Sequence, residues 1–101
     1  MSAPSPFTTT YEGRTWTVDV AEATAEHVVL RARSGDDTRY QAIGYSENPH
    51  YQGMISWKFG EERTSTDAAR ADLSDGRTTT AMPGGKLEVL LRAVILATRA
   101  A

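Results

Sequence analysis

Residues 86–101, KLEVLLRAVILATRAA, form the longest apolar-rich run in the chain. Successive residues of an α-helix are turned by about 100°. On that wheel Leu87, Leu90, Leu91 and Val94 make one stripe, the spacing of a helix lying on a core. Val89, Ala93, Leu96, Ala97 and Ala100 make a second stripe on the opposite side. Glu88, Arg92 and Arg99 crowd into a narrow arc between the two. A helix with two apolar faces needs two surfaces to cover it. A small domain supplies one, so the second is expected from another chain. Val89, Ala93, Leu96 and Ala97 are the candidate interface residues.

The sequence before this helix alternates with the period of strands. In residues 15–20, TWTVDV, Trp16, Val18 and Val20 face one way while Thr15, Thr17 and Asp19 face the other. That alternation marks a half-buried strand. Residues 7–11 repeat it more weakly, and Glu12-Gly13 reads as the turn between the two. Residues 21–26 (AEATAE) favour helix but are too few to hold one, so they read as the end of a strand and a turn. From His27 to Arg33, Val28, Leu30 and Ala32 are expected to point inward, with His27, Val29, Arg31 and Arg33 outward. Ser34-Gly35-Asp36-Asp37 is a turn signal, and Arg39–Tyr45 is the returning strand of a hairpin. Residues 46–53 (SENPHYQG) read as a loop broken by Asn48-Pro49. In residues 54–59 (MISWKF), Ile55, Trp57 and Phe59 share one face.

Residues 60–76 are charged and nearly free of large apolar side chains. A short helix from about Thr66, capped by Ser65 or Thr66 and ended near Gly76, is the optional element there. Residues 77–82 suggest a last strand, and Pro83-Gly84-Gly85 breaks the chain before the long helix. The expected fold is α+β: an antiparallel β-meander of four or five strands packed against one long C-terminal helix. Residues 1–6 (MSAPSP) read as a disordered lead-in, and 7–101 as a single α+β domain.

Composition narrows the function classes. The net charge is −2, whereas proteins built to grip phosphate backbones show a basic excess. There is no cysteine, which removes disulfides, thiolate metal sites and a cysteine nucleophile. The amino-terminal residues lack the charged and apolar segments of a secretory signal. The C-terminal run falls short of the ~20 residues of a membrane span. A cytoplasmic protein without membrane contact is therefore expected.

Candidate chemistry is sparse. His27 and His50 are the only histidines, and their places give no metal-ligand spacing. Glu47, His50 and Tyr51 share a loop and form a possible binding site, but they match no nucleophile arrangement. His27, Arg31 and Arg33, with Gln41, Ile43 and Tyr45 as candidates on the facing strand, suggest a sheet face for single-stranded nucleic acid. Acidic Asp19, Glu22 and Glu26 weaken that suggestion. No cofactor motif is present: Gly84-Gly85 precedes a helix without a phosphate-loop pattern. The chain is expected to be a small non-catalytic binding or accessory module acting through protein contacts, as a homodimer, with a protein partner, or both. Single-stranded nucleic-acid binding by the sheet face is the alternative. A small enzyme using the 46–53 loop is a third reading.

Overall fold

The computed structural model describes residues 6–47 and 55–100. Six strands follow one another in a single antiparallel meander, each paired with its neighbours in sequence order. They are β1 (Phe7–Tyr11), β2 (Arg14–Ala23), β3 (His27–Ser34), β4 (Asp37–Glu47), β5 (Ile55–Phe59) and β6 (Thr79–Thr80). Between β5 and β6 lies α1 (Thr66–Ser74), and the described chain ends in α2 (Gly85–Ala100). The fold is α+β as expected, with six strands rather than four or five. The last strand expected within residues 77–82 is only the two-residue β6, whose Thr79 and Thr80 pair with Phe59 and Lys58. Apart from Pro6, the lead-in lies outside the described residues, as do residues 48–53 of the expected loop and Met54 of the strand after it; Ser46 and Glu47, expected in the loop, belong to β4.

Short turns set the register. Glu12 and Gly13 both have positive φ, 52° and 75°, the handedness that matches the twist of a two-residue hairpin. They place Tyr11 opposite Arg14. Residues 21–26 do extend β2 and then turn, but with an irregularity: the register shifts between Val20 and Glu22. Ala21 is the extra residue of a β-bulge. Strict alternation from Trp16, Val18 and Val20 would put Glu22 on their face. The bulge instead sets Glu22 opposite Val29, on the other face of the sheet.

The sheet curls into half a barrel, and its two faces are covered unequally. On one face Val18, Val28, Leu30, Ile43 and Trp57 are buried against Leu90, Leu91, Val94 and Ile95 of α2. Leu87, the first member of the expected stripe, is only partly buried at the edge of this cluster. On the other face Val29, Ala42 and Ala69 form a smaller cluster under α1, with Tyr40 and Leu73 packed against it.

The sheet's second face thus departs from the expected pattern at Val29 and at the β4 residues Gln41, Ile43 and Tyr45, which lie on the α2 side. Val29 points away from α2 as alternation requires, yet it is fully buried because α1 lies over it. Ile43 pairs with Val28, so it shares the α2 face and the core rather than the face of His27. Residue parity in β4 follows from the two-residue turn after Ser34, which pairs Ser34 with Asp37.

The optional helix exists, and charge holds it more than grease. Ser65 caps it by accepting the Ala68 N–H at 3.1 Å, and Gly76 follows with φ +72°. Asp72 is 2% exposed. It accepts two bonds from Arg63, Nε to Oδ2 at 2.9 Å and Nη2 to Oδ1 at 2.8 Å, and the Glu61 N–H at 3.1 Å. Arg63 in turn exchanges backbone bonds with Tyr40 at 2.7 and 2.8 Å. Gly60 sits where an added Cβ would come within 3.1 Å of Asp72 Cβ and 3.3 Å of the Ala42 carbonyl. A side chain there would be tight, and Asp72 or the Ala42 carbonyl would have to give by a few tenths of an ångström.

Trp57, 2% exposed, is a bulky side chain of the core on the α2 face. Replacing it with Ala is expected to cost about 3–5 kcal/mol, read as a lower midpoint in urea denaturation. Val89→Ala, on the outer side of α2, is expected to change stability by less than about 0.5 kcal/mol.

Candidate functional site

Three groups of residues came forward from the sequence, and the fold treats each differently. The outer stripe of α2 stays outside. Val89 is 71% and Leu96 68% exposed, Ala93 is exposed between them, and Ala97 is half-buried at the margin of the core. Neither the sheet nor α1 reaches over Val89 and Leu96. Glu88, in the first turn, accepts a bond from Arg92 Nε at 3.0 Å, so these two members of the charged arc pair within the helix.

The loop group is only partly visible. Glu47 ends β4 opposite Ile55. His50 and Tyr51 lie outside the described residues.

The proposed nucleic-acid face is divided between the two sides of the sheet. His27, Arg31 and Arg33 lie on the α1 side, opposite Gly44, Tyr40 and Thr38. Tyr45 lies on the α2 side, where it packs against the core and its ring meets that of Trp57 at 6.0 Å. Its hydroxyl donates to the Thr24 carbonyl at 2.5 Å. Arg31 is turned along the sheet onto Asp19, with Nε to Oδ1 at 3.0 Å and Nη2 to Oδ2 at 2.7 Å. This forked contact holds the Asp19 carboxyl below its usual range and raises the Arg31 guanidinium further. Arg14, Arg39 and Arg63 are likewise engaged with Asp37, Glu62 and Asp72.

A cluster that sequence reading did not assemble lies at the β2–β3 turn. The bulge at Ala21 aims Glu22 at His27, whose Nε2 is 2.8 Å from Glu22 Oε2. An ionised carboxylate only accepts, so Nε2 carries the proton. In the neutral imidazole Nδ1 is then an acceptor, and the Thr24 hydroxyl lies 3.0 Å from it. Arg70 of α1 brings its Nε within 2.9 Å of the same Glu22 oxygen, close enough to pair but not aligned as a hydrogen bond.

The order hydroxyl–imidazole–carboxylate is that of a nucleophile, its base and an orienting acid. Thr24 is poorly placed for attack, however. Its oxygen accepts the N–H groups of Glu26 and His27, each at 3.2 Å. A hydroxyl has two lone pairs, and the turn uses both. The cluster therefore acts as a lock that joins the β2–β3 turn to α1. The bulge is what the sequence hides: without it Glu22 reads as belonging to the opposite face.

Among the described residues, no group of three or more histidine, cysteine or acidic side chains is arranged to hold a metal ion. No helix there is long and apolar enough to cross a membrane. No family model, curated protein or solved structure matches the chain.

The paired carboxylates give a pH dependence of stability. Asp72 is held below its ordinary value, first by the hydrogen bonds from Arg63, as Asp19 is by Arg31. A depressed carboxylate contributes stability that is complete above the unfolded value of about 3.9 and fades as pH falls through the folded one. The melting temperature is expected to be flat with respect to these groups between about pH 5 and 7 and to fall below about pH 4. Asp72→Asn should melt lower at pH 7 and lose less on acidification. Thermal melts by circular dichroism across this range read both effects.

Proposed function

We propose that the protein is a non-catalytic binding module that works as a homodimer, with α2 of one copy lying against α2 of another. One observation carries this reading: Val89 and Leu96, on the outer side of α2, are 71% and 68% exposed. Each buried Å² of apolar surface is worth about 25 cal/mol, so an uncovered stripe on a helix is a standing drive towards association.

A second copy suits the stripe better than an unrelated partner. The helix of 16 residues is about 24 Å long. An antiparallel pair centred on Ala93 opposes the two helix dipoles. Two-fold symmetry requires such a self-complementary patch. Ala93 and Ala97 are small, so the axes can approach towards the lower end of the usual 8–10 Å separation. A single helix pair buries less than the 1,200–2,000 Å² typical of a stable interface. The expected dimer is accordingly weak and concentration-dependent.

The sheet-face reading for single-stranded nucleic acid is less well supported. Arg31 is committed to Asp19 and Tyr45 lies on the opposite side. The enzyme reading rests on His50 and Tyr51, which lie outside the described residues.

The double variant Val89→Asp, Leu96→Asp is expected to be a folded monomer. Both positions are exposed, so the circular dichroism spectrum should match the wild type. Light scattering should show a concentration-dependent rise in mass for the wild type and none for the variant. A wild type that stays monomeric throughout would dispose of the dimer.

A further inference from the structure

The two helices leave one end of the α2 face uncovered. Leu90, Leu91, Val94 and Ile95 lie over the part of the sheet that includes Val28, Ile43 and Trp57. Beyond Leu87, at the start of α2, there is a cavity of about 360 Å³. Small-molecule pockets begin at about 300 Å³. Its floor follows from the strand register. Phe7 lies beside Val18 and Val18 beside Ala32, which lies beside Arg39; Thr9 lies beside Trp16, and Leu30 beside Gln41. The floor is therefore apolar from Phe7 through Val18, Leu30 and Ala32 and becomes polar at β4, with Thr9 on its exposed rim.

Arg39 is the group at that change. Its guanidinium stands 5.1 Å from the centre of the Trp16 ring. Among the described residues it donates once, from Nη1 to Glu62 Oε2 at 2.9 Å. A guanidinium has five donors in a fork that matches a carboxylate, so most of Arg39's donors remain available beside the cavity. Glu62 is exposed, and exposed pairs of this kind hold weakly. Arg14, also against Trp16 at 4.7 Å, differs: it is fixed by Asp37 and by the Ser34 carbonyl. Gln41 gives its amide N–H to the Gly60 carbonyl at 2.8 Å, which leaves its own carbonyl oxygen as an acceptor at the same end.

We propose that this cavity binds a small amphipathic carboxylate, its apolar body against Trp16, Val18, Leu30 and Ala32 and its carboxylate on Arg39. The ligand carboxylate replaces Glu62 on the guanidinium, exchanging a one-point contact for a forked one. The site is complete within one chain and does not depend on self-association.

Calorimetric titration with octanoate, and with octanol as its neutral counterpart, tests the proposal. The expected result is saturable binding of one octanoate per chain, with octanol at least fivefold weaker. Arg39→Gln should abolish that difference. Ala32→Phe, which fills the cavity, should abolish binding. Thr9→Trp, at an exposed position on the rim, should do the same without touching the core. The Val89→Asp, Leu96→Asp variant should bind as the wild type does, which separates this site from the dimer. No saturable heat, binding unchanged in a folded Thr9→Trp variant, or octanol binding as tightly as octanoate would overturn the proposal.

Discussion

The docking of Leu90, Leu91, Val94 and Ile95 onto the curled sheet is the contact on which the rest of this protein depends. It buries Ile43, Val28 and Trp57 from three different strands under one helix. A meander has little to hold its distant members together other than neighbour-to-neighbour hydrogen bonds. The helix supplies the long-range link. Its cost is geometric: a single helix cannot cover a six-stranded face, nor can the sheet wrap round the helix. One end of the face is left as a cavity, and the outer side of the helix is left with Val89 and Leu96 in solvent.

The opposite face is organised by charge. α1 offers only Ala69 and Leu73 to the small cluster around Val29 and Ala42. Asp72, gripped by Arg63 and by the Glu61 N–H, fixes its position. Nearby, Glu22 joins His27 of the sheet to Arg70 of the helix. This use of arginine in local pairs takes up much of the positive charge of a chain with eleven basic residues. The guanidiniums of Arg14, Arg31, Arg39 and Arg63 are each directed at a carboxylate within the fold.

Much of this was legible in the sequence because two periods are hard to confuse. Trp16–Val18–Val20 and Ile55–Trp57–Phe59 alternate with period two, and the last sixteen residues repeat with the period of a helix. The strands, their antiparallel order and the stripe that meets the sheet follow from those patterns. The helix from Thr66 follows from Ser65 and Gly76. What was not legible depends on single residues whose effect is non-local. The bulge at Ala21 moves Glu22 to the other face, and nothing in AEATAE marks it. Ile43 and Tyr45 change sides with the register set by the turn after Ser34. Asp72 looks like one more surface acid, although its spacing of three from Ala69, in the same stripe as Leu73, was the available clue. Val29 reads as an outward residue until α1 is placed over it. The outer stripe of α2 was visible throughout, and the fold leaves its two largest members, Val89 and Leu96, uncovered.

One side of α2 closes the core; the other, with Val89 and Leu96 exposed, is the side proposed to meet a twin. The most direct measurement is an isotope-filtered nuclear Overhauser experiment on a concentrated mixture of labelled and unlabelled protein. Contacts between the Leu96 methyls of one molecule and the Val89 and Ala93 methyls of another are the result the account predicts. Intermolecular contacts that avoid this stripe, or none at all, would contradict it.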